Sequence, residues 1–161
     1  MNLFKYLNTK LSKRPSFESV LTRRFSDPEE LCNFVARHTR YKADPYERDH
    51  WQTPEETWKR GLGDCEDLSL VVDALCAASG FDREVTAVFG VISRTGHIYV
   101  KGYHLNRRWV YSNNAFRWIR EPETCLGFVL EQIGMANTRI AQMPLLVSTI
   151  EAMTHKPSEP V

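Results

Sequence analysis

The sequence predicts an α+β domain in which helices come first and an antiparallel sheet follows. In the first half, three segments carry helix start signals followed by apolar residues at helical spacing. In the second half, apolar and polar residues alternate with period two, and short turns separate the runs. Helices therefore precede strands, with no strand–helix–strand repeat, and such an order favours segregated layers over a wound parallel sheet.

Each element has its own reason. The first dozen residues are weakly patterned and read as a short docking helix. Ser26-Asp27-Pro28-Glu29-Glu30 supplies a cap, a proline for the first turn and early acids that suit the helix dipole. Leu31, Phe34 and Val35 then form an apolar stripe. Thr53-Pro54-Glu55-Glu56 repeats the arrangement as a capping box, and Gly61 and Gly63 keep that helix short. A third helix starts near Asp64-Cys65 and ends at Gly80, with Leu68, Val71, Val72 and Leu75 as its buried face. Glu84 to Val91 and Gly96 to Tyr103 alternate as strands, joined through Arg94-Thr95-Gly96. A turn at Asn106-Arg107 leads into a strand over Trp109 to Ser112. Pro122 to Gly134 reads as a further helix, and Arg139 to Met153 as another, interrupted at Pro144.

Size and charge narrow the function. A chain of 161 residues fits a single domain over 1–161, with its core at about 26–134 and a flexible tail at 154–161. The net charge of +1 argues against nucleic acid as the main partner, which usually demands a basic excess. No apolar run is long enough to span a bilayer, and the start lacks a signal-peptide pattern, so a cytoplasmic location is expected. Nothing in the sequence sets an oligomeric state. In a reducing compartment the four cysteines stay free, and no CxxC pair suggests structural zinc.

Among the four, Cys65 has the distinctive place. A Gly-bearing loop, Gly61-Leu62-Gly63-Asp64, delivers it to the start of a long helix. There the helix dipole favours a thiolate, and free backbone N–H groups can hold an oxyanion. The competing reading is a small buried thiol at a helix start. A nucleophilic thiol needs a base, and His97 opens a strand just after Gly96, although an ordinary strand histidine looks the same. A third group would hold the imidazole. Ser112-Asn113-Asn114 follows the neighbouring strand and offers Asn side chains, which are equally common in turns. Cys32, Cys76 and Cys125 lie on apolar helix faces or edges and read as inert.

Taken together, these residues resemble a known family. Trp51-Gln52-Thr53-Pro54-Glu55-Glu56-Thr57, then Gly61-Leu62-Gly63-Asp64-Cys65-Glu66-Asp67-Leu68-Ser69, then Gly96-His97, look like the bacterial transglutaminase-like cysteine proteinases. Tyr41-Lys42-Ala43-Asp44 also fits, and the likeness covers about Leu31 to Phe116. It implies a papain-like, transglutaminase-like core and a cysteine-dependent hydrolase or acyl transferase acting on protein or peptide. It makes Cys65 the nucleophile and His97 the base. The family's third residue is usually an Asp in a Leu-Asp-Asn-like stretch. Its place falls here to Asn113, or to Asn114 if the register slips by one. By analogy with papain, Gln52 would donate to the oxyanion; Trp51 would shape the site, although Trp51 and Trp58 flanking a short helix also read as core.

The chemistry requires no cofactor. The family's closest members bind calcium through acids matching Asp64 and Glu66, whose oxygens suit that hard cation. The same acids also suit a helix N-terminus, and both readings stand. The rival to an enzyme is the same fold used as a protein-binding or assembly module, motivated by Asn in place of Asp.

Overall fold

The computed structural model describes residues 14–45, 50–92, 95–136 and 138–145. The docking helix expected in the first dozen residues and the tail at 154–161 lie outside them. Helix α1 spans Phe17–Leu21, α2 Pro28–His38, α3 Pro54–Arg60, α4 Cys65–Ser79 and α5 Cys125–Gln132. No helix among the described residues is long and apolar enough to cross a membrane.

The start signals act as their chemistry dictates. Asp27 accepts the Glu30 N–H at 2.8 Å, and Glu30 reaches back to the Ser26 N–H at 2.8 Å. In α3, Thr53 Oγ1 accepts from the Glu56 N–H while the Glu56 carboxylate accepts the Thr53 N–H. Gly61 ends α3 in the left-handed conformation with φ of 67°, and Gly80 ends α4 at 74°. Two-residue strands β1 (Arg40–Tyr41) and β2 (Leu62–Gly63) pair in parallel and tie the loop before α4 to the chain after α2.

The main sheet contains β3 (Glu84–Gly90), β4 (Gly96–His104), β5 (Arg107–Ser112), β6 (Ala115–Ile119) and β7 (Ile140–Pro144), in the order β6-β5-β4-β3-β7. All neighbours are antiparallel. The architecture is the expected α+β arrangement. One sheet face carries Val85, Ala87, Ile98 and Val100 against Leu68, Val72 and Leu75 of α4. The opposite face carries Val88, Tyr99 and Val110 against Val129 and Leu130 of α5. Each fully buried aliphatic side chain of this kind contributes about 1.5–3 kcal/mol. The start of α4 is therefore fixed against the sheet by the helix that follows it.

Four expectations need correction. Strand β6 was not anticipated. Asn113 and Asn114, at φ of 47° and 62°, form a two-residue hairpin turn that sends the chain straight back along β5. The preceding turn is also one residue earlier than expected, at Leu105 and Asn106, both left-handed. The helix expected from Arg139 is instead strand β7 over 140–144. Backbone bonds from Leu145 to Val85 and from Val91 to Arg139 pair it with the edge of β3. A partner edge outweighs a weak helical pattern, and Pro144 is tolerated on an edge strand. Helix α5 is shorter than Pro122 to Gly134 because Thr124 caps it, accepting from the Gly127 N–H at 2.9 Å.

Candidate active site

The site begins with a close approach. A Cβ on Gly63 would lie 2.6 Å from Cβ of Asp67, so only glycine lets β2 pass under the first turn of α4. Asp67 is fully buried and gathers three N–H donors: the Gln52 backbone at 2.8 Å, Gln52 Nε2 at 2.6 Å and the Asp64 backbone at 3.4 Å. Burial raises its carboxyl to about 6, with the Gln52 backbone N–H opposing. Asp67 thus locks the Trp51-Gln52 segment to the helix that starts at Cys65. Gln52, expected to face an oxyanion, here donates to Asp67. Trp51 packs half-buried against the core and lines the cleft above Cys65.

Cys65 is the first residue of α4 and partly buried. Its Sγ donates to Oε2 of Glu66 at 3.1 Å. The helix terminus alone would lower this thiol's pKa. Instead burial, and then the Glu66 carboxyl, push it far above the usual thiol range. An opposing pull comes from the Ile98 backbone, which reaches the sulfur from the residue after His97. Cys65 therefore lies against the beginning of β4. Asp64 and Glu66 are both buried. Glu66 is raised well above the carboxylate range, first by burial and then by its hydrogen bond with Asp64. Two adjacent carboxyls out of water share a proton instead of both ionising.

His97 is buried at the start of β4, and its Nε2 lies 2.8 Å from Oγ of Ser112. The register explains this pairing. Val100 opposes Tyr111, so Ser112 stands across from Tyr99 and diagonal to His97 on one face. Ser112 is itself fully buried, and its carbonyl accepts from Gln132 Nε2 of α5 at 3.0 Å. Burial alone lowers the His97 pKa to about 4, so the ring is neutral at neutral pH. Among the described residues the thiol's side-chain hydrogen bond goes to Glu66, not to His97.

The expected third residue is elsewhere. Asn113 occupies the hairpin turn, and its Oδ1 is buried without a hydrogen-bond partner among the described residues. Asn114 accepts from the Tyr111 hydroxyl at 2.6 Å and from Thr39 Oγ1 at 3.3 Å, and donates to the Thr39 carbonyl at 3.1 Å. It fastens the hairpin to the end of α2. Ser112 is the residue that the sequence reading missed. One signal was available. Laying the family's Leu-Asp-Asn-like stretch on Tyr111-Ser112-Asn113 puts Ser112, not Asn113, under the aspartate.

Cys65 and His97 line one cleft of about 610 Å³. A second cavity of similar volume lies on the α5 side of the sheet, between Lys101, Arg108 and Cys125. Asp64 and Glu66 have the oxygen chemistry for calcium. However, Glu66 is engaged by the Cys65 thiol and Asp67 by Gln52. No group of three or more His, Cys, Asp or Glu among the described residues converges as a metal would require.

No curated protein matches the chain. Several solved structures do. Legionella pneumophila LapG shares 17% identity over 63% of this chain and 60% of its own, with a TM-score of 0.47. A calcium-bound LapG structure shares 16% over 75% of this chain and 77% of that one, at 0.48. A candidate cysteine protease from Cytophaga hutchinsonii shares 11% over 74% of this chain and 45% of its own, at 0.43. The chain thus spans less than two thirds of the first of these. The family described as the transglutaminase-like superfamily matches residues 16–113, which include α1 to α4 and β1 to β5. With well over half of its length inside that match, the chain belongs to the transglutaminase-like superfamily.

Proposed function

We propose that the protein is a cysteine-dependent hydrolase or acyl transferase acting on protein or peptide carbonyls within one domain. Cys65 is the nucleophile, His97 the base and Ser112 the residue that positions His97. The observation that carries this is the shared cleft. A cysteine at the first residue of α4 and a histidine held through Nε2 at the start of β4 both open to it. Holding Nε2 presents Nδ1 as the basic nitrogen.

The reaction then runs in balanced steps. His97 Nδ1 takes the Cys65 proton as Sγ attacks the carbonyl carbon, and the carbonyl π electrons move onto oxygen. The Cys65 backbone N–H in the first turn of α4 stabilises that oxyanion. Collapse breaks the C–N bond, and the His97 imidazolium returns its proton to the leaving amine. Water hydrolyses the thioester that remains, or an amine intercepts it. Before the first step the thiol must leave Glu66.

A second reading has one observation behind it. The thiol is held on a carboxyl that raises its pKa while burial lowers that of His97, so neither group is poised to ionise. Under it the cleft binds a peptide without cleaving it. Iodoacetamide labelling across pH, mapped by mass spectrometry, separates the two. Under the enzyme reading Cys65 labels faster than Cys32 and Cys76, and His97→Ala slows it by about 10²-fold or more. Labelling of Cys65 no faster than of those two buried thiols would leave only the binding module.

A further inference from the structure

The cleft over Cys65 has two unlike parts. Its floor is polar, formed by Asp64, Cys65, Glu66 and His97. Its apolar lining comes from two sources, Tyr41 and Trp51 from the chain before α4 and Phe89 and Met143 from strands β3 and β7. Phe89 is the next residue on the strand face that carries Val85 and Ala87 into the core, yet it is 43% exposed. Met143, which stands opposite Ala87 on β7 and diagonal to Phe89, is 48% exposed. Val91 and Ile92 follow in the chain after β3, exposed by 50% and 87%. A run of bulky exposed side chains that ends at a nucleophile is a surface waiting for a ligand.

The backbone beneath is shaped to allow it. A Cβ on Gly96 would come within 3.2 Å of the Phe89 ring. The glycine before His97 therefore lets that ring lie close over the start of β4. Charge supplies a second restriction. Among the described residues no lysine or arginine lines the cleft, whereas Asp44 stands on its wall and Asp64 and Glu66 on its floor. An acidic side chain entering here would lose water, meet no counter-charge among the described residues and face carboxyls.

We infer that the cleft selects an extended peptide segment with a bulky apolar side chain, and rejects an acidic one, beside the carbonyl presented to Cys65. Phe89 and Met143 are the specificity-determining residues. The inference rests on the catalytic reading for the place of that carbonyl, and on the cleft walls for the selection itself.

The test uses four reagents on the full chain: N-acetyl-leucyl, -phenylalanyl, -glycyl and -glutamyl chloromethyl ketones. Alkylation of Cys65 by each is followed by mass spectrometry and divided by the iodoacetamide rate at the same pH. The division removes differences in thiol ionisation and leaves the contribution of the side chain. The leucyl and phenylalanyl reagents should exceed the glycyl and glutamyl ones by about tenfold or more. In Phe89→Ala, and in Phe89→Ala/Met143→Ala, that preference should shrink to about threefold or less. Both side chains are half-exposed, so their truncation leaves the core intact. Equal normalised rates, or a preference that survives the double variant, would overturn the proposal. Slow iodoacetamide labelling with the leucyl preference retained would overturn the catalytic reading and uphold the selectivity.

Discussion

At Ser112, one hydroxyl stands where a carboxylate would give His97 much more. A serine fixes the ring through Nε2 but brings no negative charge to balance an imidazolium. Buried without a counter-charge, His97 keeps a pKa near 4. Ser112→Asp should raise that pKa by about one to three units, read by NMR titration of the ring, and speed Cys65 alkylation near neutral pH. Ser112→Ala should slow alkylation, whereas Asn113→Gly should leave it within about twofold, because glycine suits a φ of 47°. An Asn113→Gly loss as large as that of Ser112→Ala would return the positioning role to Asn113. At this scale the sequence was uneven. Cys65 and His97 could be singled out because glycines and a helix start surround one and a strand start holds the other. The partner of His97 could not, because it depends on the register of β4 against β5, and that register is set by the left-handed conformation of Leu105 and Asn106 in the turn between them.

The loop from Gly61 to Asp64 shows how an element places a side chain. Backbone bonds from Arg40 to Gly61 and from Lys42 to Gly63 hold it beside β1, and Asp67 closes over it from the next turn. Gly63→Ala puts a methyl where Cβ of Asp67 already lies, so the helix start must shift. We predict a loss of about 1–3 kcal/mol in urea denaturation, the usual cost of overpacking a tight site. Slower labelling of Cys65 should accompany it, since the same shift moves the thiol away from β4. Unchanged stability would mean that the contact relaxes at no cost. The elements with local signals were those the sequence disclosed. The caps of α2, α3 and α4 depend on residues within four positions of each helix start. Strand β7 has no comparable local signal. Residues 140–144 become a strand because β3 offers an unpaired edge, and that edge exists only once the chain is folded.

Across the whole molecule, charge nearly cancels, yet ionisable groups are buried around a single cleft. Stability should therefore respond to pH through a few interior sites, and the signs of their contributions differ. His97 has its pKa lowered from 6.5 to about 4 by burial. Its stabilising contribution is complete above about 6.5 and is lost as pH falls through about 4, because the unfolded chain takes up the proton first. Asp67 has its pKa raised from 3.8 to about 6. Its contribution is complete below about 3.8 and is lost as pH rises through about 6. Each shift corresponds to about 3 kcal/mol, and the two oppose one another over the acid range. Single variants expose the separate slopes. The stability of the unmodified protein relative to His97→Gln should fall by up to about 3 kcal/mol between pH 7 and pH 4. Relative to Asp67→Asn it should fall instead between pH 4 and pH 7. Urea denaturation at pH 7, 5.5 and 4 measures both differences. Any constant cost of either substitution cancels from the slope, so a flat difference for His97→Gln would show that the ring can be protonated in place and that its burial does not hold it neutral.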